Sequence, residues 1–82
     1  LRHWRFKMPH ITVQMFPGRN DEIKKNLAEK LAKLASEELG RGIEHFSVSV
    51  EDIPQDEWKS RVFDKIVDPD NKTVFVKPGY TM

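Results

Sequence analysis

The sequence predicts an α+β domain in which one amphipathic helix joins two parallel strands, a short second helix follows, and the sheet is completed by dimerisation. Two runs, near 11–16 and 46–51, alternate apolar and polar residues, and between them apolar residues recur at helical spacing from 23 to 39. At 82 residues the chain makes one small domain with a modest core, so added stability from a partner subunit is expected.

The first strand sets Ile11, Val13 and Met15 on one face against Thr12, Gln14 and Phe16 on the other, and Pro17-Gly18 ends it. Asn20 then offers an N-cap oxygen, and Asp21 and Glu22 place negative charge in the first turn. Ile23, Leu27, Leu31, Leu34, Ala35 and Leu39 form the apolar stripe, expected to cover one face of the sheet, and Gly40 marks the helix end. The lysines of the opposite face make an ordinary solvated surface. In the second strand Phe46, Val48 and Val50 oppose Ser47, Ser49 and Glu51, and Pro54 closes the run. A crossover of this length makes the strands parallel. Trp58, Val62, Phe63 and Ile66 predict a helix over 55–67; DPDNK at 68–72 is a turn cluster, and 73–76 is a candidate short edge strand.

Composition narrows the chemistry. No cysteine is present, which excludes disulfides, thiolate metal sites and thiol nucleophiles, and fits a cytoplasmic setting. No apolar stretch approaches the length of a membrane span, so no membrane partner is expected. Arg2, Arg5 and Lys7 stand within residues 1–7, which follow no strand or helix period and read as a leader or tag-like extension to a single domain at 8–82. From Met8 onward eleven basic residues face thirteen acidic ones, a net of −2, unfavourable for a nucleic-acid partner. His3, His10 and His45 share no metal-ligand spacing, and there is no HExxH, phosphate-binding loop or GxSxG. His10 and His45 read as ordinary surface or hydrogen-bonding residues, and no metal is expected.

The informative feature is Met8-Pro9 directly ahead of a strand. Removal of the methionine would leave Pro9 with a free secondary amine, which is a base, whereas an internal proline nitrogen is not. The run PHITVQMFPGR at 9–19, followed by the amphipathic helix, resembles the N-terminal half of 4-oxalocrotonate tautomerase subunits. IPQDEW at 53–58 and KPGYTM at 77–82 resemble the dimeric phenylpyruvate tautomerase-like branch of that family, so that the similarity covers 8–82. The resemblance implies a cofactor-independent isomerase that moves a proton between the keto and enol forms of a 2-oxo acid, with Pro9 as general base. It also implies Arg19 as the group that pairs with a substrate carboxylate, and Trp58 as an aromatic wall. General base catalysis works best with a pKa near the operating pH; an apolar pocket and a nearby guanidinium both disfavour the ammonium form of the amine.

The sequence departs from the family in the second strand, where hexameric relatives carry an arginine and this chain has Ser47. One carboxylate anchor is thus missing, which favours a monocarboxylate such as phenylenolpyruvate, its ring taken up by Phe16, Trp58 or Phe75. Arg41, Arg61 and Lys77 are the cations available as replacements. The competing reading is a non-catalytic βα module that uses the basic-aromatic arm at 1–7 to bind nucleic acid or a protein.

Overall fold

The two alternating runs form β1 (His10–Met15) and β2 (Ser47–Asp52), paired in parallel as a two-stranded sheet. The computed structural model describes residues 8–82; the extension at 1–7 lies outside them. His10 stands opposite Ser47 and Met15 opposite Asp52. The ladder continues one rung at each end, from the Ser47 N–H to the Pro9 carbonyl (3.2 Å) and from the Ile53 N–H to the Met15 carbonyl (2.8 Å).

The period of two sorts the side chains onto two unlike faces. Ile11, Val13 and Met15 of β1 and Val48 and Val50 of β2 are half-buried, while the opposite face is polar and exposed. There the His10 ring bridges two hydroxyls of β2, with Nδ1 2.6 Å from Ser47 Oγ and Nε2 3.1 Å from Ser49 Oγ. Gln14 Nε2 donates to Glu51 Oε1 at 2.6 Å.

Helix α1 (Asp21–Leu39) begins where expected because Asn20 Oδ1 accepts the Ile23 N–H at 2.9 Å, satisfying one of the orphan donors of the first turn. It ends at Gly40, whose φ of 65° lies in the left-handed region that other residues adopt only with strain. The helix packs against β2, and Lys24 Nζ donates to Asp52 Oδ2 at 2.8 Å. The apolar stripe is only partly used. Leu27, Leu31 and Ala35 turn toward the sheet and are half-buried, but Ile23, Leu34 and Leu39 are 49%, 55% and 60% exposed. The cause is width: strands sit about 5 Å apart, so a two-stranded ribbon is too narrow to cover an apolar stripe of roughly 100°.

After a 3-10 turn at Ile43–His45 and β2, the predicted helix over 55–67 is replaced by three unlike turns: a 3-10 turn (Gln55–Glu57), a π turn (Lys59–Phe63) and α2 (Asp64–Ile66). The π turn takes in one extra residue, and with it adjacent Val62 and Phe63 are both buried. With Ile53 these are the only buried apolar residues among those described. The edge strand expected at 73–76 is absent. Asn71 Oδ1 accepts from both the backbone N–H (3.0 Å) and the hydroxyl (2.6 Å) of Thr73, which folds the segment into turns and leaves Phe75 and Val76 about nine-tenths exposed. Among the described residues no helix is long and apolar enough to cross a membrane.

Removing the cap should be measurable without touching any packing. Asn20→Ala is expected to lower stability by about 1 kcal/mol in urea denaturation at fixed protein concentration; an unchanged midpoint would show that the cap contributes nothing.

Candidate active site

At the carboxyl end of β1 the chain reverses through Pro17 and Gly18, and the φ of 132° at Gly18 is one that a side chain would strain. The reversal places Arg19 over an open cleft of about 550 Å³, whose lining includes Gln14, Phe16, Arg19, Gln55, Trp58 and Tyr80. Trp58, at the head of the π turn, meets Phe16 edge-to-face with ring centroids 5.0 Å apart. Its Nε1–H donates to the Tyr80 hydroxyl at 3.1 Å, and the Tyr80 ring lies 5.5 Å from that of buried Phe63. The tail therefore returns across the cleft and is tied to its wall.

The electrostatics are simple. No carboxylate pairs with Arg19 among the described residues, so its guanidinium is available to an anion. Of the cations that could replace the missing second-strand arginine, none lines this cleft. Arg61 is held by Glu57 at 3.0 Å, and Lys77 lines a separate cleft of about 710 Å³ between α2 and the tail. Phe75 also lines that second cleft, so it is not positioned to receive a ring beside Arg19. Ser47 is far from Arg19 in the fold and is engaged with His10. Among the described residues no cluster of His, Asp and Glu could hold a metal ion.

Of the residues singled out from sequence, Phe16, Arg19 and Trp58 are brought together, and Pro9 is not. Pro9 is half-buried at the opposite end of β1, with its carbonyl held by Ser47. The intervening strand of six residues spans roughly 20 Å, beyond the reach of any side chain. Sequence reading passed over Tyr80 and Gln55 as cleft residues. The signal for Tyr80 was present in KPGYTM, but nothing local ties that motif to Trp58.

Residues 9–61 match the tautomerase family, described as a tautomerase enzyme. The chain belongs to the tautomerase family. It is 40% identical over 75 residues to Tautomerase PptA of Pectobacterium carotovorum, covering 90% of this chain and 99% of that one. It is 33% identical over 76 residues to Tautomerase PptA of Enterobacter, covering 92% and 100%. A shorter match, 39% over 51 residues, covers 62% of this chain and 82% of the 2-hydroxymuconate tautomerase of Bacillus subtilis. These likenesses agree with the resemblance carried by PHITVQMFPGR and KPGYTM, and they identify the chain as a tautomerase enzyme rather than a non-catalytic module.

In this tautomerase the first turn of α1, directly after the arginine loop, is tied to the end of β2 by the Lys24–Asp52 pair, whose side chains are 19% and 38% exposed. Lys24→Met keeps the aliphatic stem and removes the charge. It should cost about 1 kcal/mol and speed amide exchange at positions 23 and 24, whose N–H groups are bonded to Asn20; exchange that stays as slow as in the parent would show that the start of α1 is held by other contacts.

Proposed function

We propose that this chain is a cofactor-independent keto-enol tautomerase of an enolisable 2-oxo monocarboxylic acid of the phenylenolpyruvate type, with Pro9 as the N-terminal general base of the mature protein. The observation that carries this reading is an unpaired Arg19 guanidinium beside the Phe16–Trp58 aromatic pair in one open cleft. That arrangement suits a ligand with a carboxylate at one end and a ring at the other. Arg19 is the one cation that lines the cleft among the described residues, which favours one carboxylate rather than two.

In the reaction, neutral Pro9 nitrogen takes the enol hydroxyl proton and returns a proton to the adjacent carbon, so that the amine ends in the state in which it began. Arg19 holds the carboxylate and stabilises negative charge developing on the enolate. The aromatic walls exclude water, and an apolar, cationic setting keeps the amine unprotonated. With neutral Pro9 this requires an N-terminus generated at Met8-Pro9.

The separation of Pro9 from the cleft points to a site shared between copies. Among the described residues the outer edge of β1 carries no neighbour, since β2 occupies the other edge. Two copies related by a two-fold axis can pair those edges only antiparallel. That pairing sets Pro9 of one subunit beside the carboxyl end of β1 in its partner, where the partner subunit's Arg19 and Trp58 lie. It also completes the sheet as a dimer.

Pro9→Ala should lose about 10²–10⁴-fold in ketonisation rate, followed by ultraviolet absorbance, with the fold retained. Arg19→Ala should lose about 10–100-fold in kcat/KM. Refolded together, the two inactive variants should recover about a quarter of the parent activity, because half of randomly assorted dimers are mixed and each mixed dimer holds one intact site. Parent-level activity in the Pro9 variant would falsify the mechanism, and no recovery on mixing would place each site within one subunit. Intact mass of the natively expressed protein tests whether the active chain begins at Pro9.

A further inference from the structure

We infer that Tyr80 is a substrate-binding residue whose hydroxyl donates a hydrogen bond to the carboxylate held by Arg19, so that a neutral donor works beside the one cation that lines the cleft among the described residues. The inference rests on the tautomerase reading above and names how the same cleft selects a monocarboxylate.

The donor count leads to it. Indole Nε1–H can only donate, so in the 3.1 Å bond between Trp58 and Tyr80 the phenolic oxygen is the acceptor. The hydroxyl proton of Tyr80 is therefore still available, and among the described residues no acceptor takes it. Accepting from Trp58 polarises the phenol and makes its own proton a stronger donor. The ring is held by Phe63 on one side and by the indole at its hydroxyl, and Tyr80 lines the cleft that Arg19 lines. The hydroxyl is thus fixed in place before any ligand arrives.

The acceptor count agrees. A carboxylate offers about four lone-pair positions and a guanidinium fork satisfies two of them. The remaining positions need a donor, and among the described residues no second cation lines the cleft. A neutral hydroxyl supplies one without adding charge, so a second carboxylate on the ligand gains nothing there and pays its full desolvation. Tyr80 also lies beyond residues 9–61, the span that matches the family, so this contact belongs to the tail of this chain rather than to the matched β-α-β segment.

The test compares Tyr80→Phe with the parent on two substrates, phenylenolpyruvate and its methyl ester, using one preparation of each protein. Phenylalanine keeps the ring against Phe63 and deletes only the hydroxyl. The expected result is a KM for the acid raised about tenfold, with kcat and the ester kcat/KM each held within about twofold. Equal losses on acid and ester would assign Tyr80 a purely structural role, and an unchanged KM for the acid would remove the hydrogen bond; either overturns the inference. Pro9→Ala, assayed alongside, separates the two claims. If the parent ketonises the acid and the Pro9 variant does not, the tautomerase reading stands whatever Tyr80→Phe shows; if the parent does not ketonise it, the reading fails and the inference with it.

Discussion

The parallel pairing of β1 with β2 is the constraint on which the rest of the subunit depends. Parallel strands cannot be joined by a tight turn, so the chain must cross the sheet, and α1 is that crossing. The same pairing puts both strand beginnings at one end of the molecule and both strand endings at the other. Pro9, His10 and Ser47 gather at the first end. Met15, Asp52, the Arg19 loop and Trp58 gather at the second, where Lys24 links helix to strand. A separation of chemical groups by the length of β1 follows directly from topology.

A single subunit leaves much of its apolar surface unused. Only Ile53, Val62 and Phe63 are buried among the described residues, while half of the α1 stripe and the tail residues Phe75 and Val76 face solvent. Burial of apolar area is the main favourable term in folding, and a core of three residues supplies little of it. Among the described residues the outer edges of β1 and β2 carry no further strand, and their backbone groups invite one. An association through those edges would bury more apolar surface, and on the proposed mechanism it would also complete the site.

Most of the fold was legible because it rests on local chemistry. Alternation gave β1 and β2, Asn20 and Gly40 bracketed α1, and in each case the determinant lies within a few residues of what it determines. The failures share a different character. The π turn buries two adjacent residues, Val62 and Phe63, a pattern that no helical period signals. The segment at 73–76 has strand composition, but Asn71 captures Thr73 before any neighbouring strand can. In the cleft, Phe16, Arg19 and Trp58 could be named from their motif, whereas Tyr80 comes from 22 residues beyond Trp58 and is placed only by the tertiary fold. That Pro9 stands apart from them is a property of strand length, invisible when residues are considered by role alone.

The polar face of the sheet has a consequence for the life of the protein before assembly. Imidazole, hydroxyl, amide and carboxylate groups there hydrogen-bond one another across the strands, so this broad surface is content in water. A subunit newly released from the ribosome does not offer this face of the sheet as a sticky plane. What it exposes for recognition lies instead at the strand edges, along the uncovered half of the α1 stripe and at Phe75 and Val76, which directs the collisions that lead to lasting contact. Dilute, unassembled chains can thereby wait for one another rather than precipitate, and with a site shared between copies, as proposed, the concentration of the protein itself would determine when activity begins.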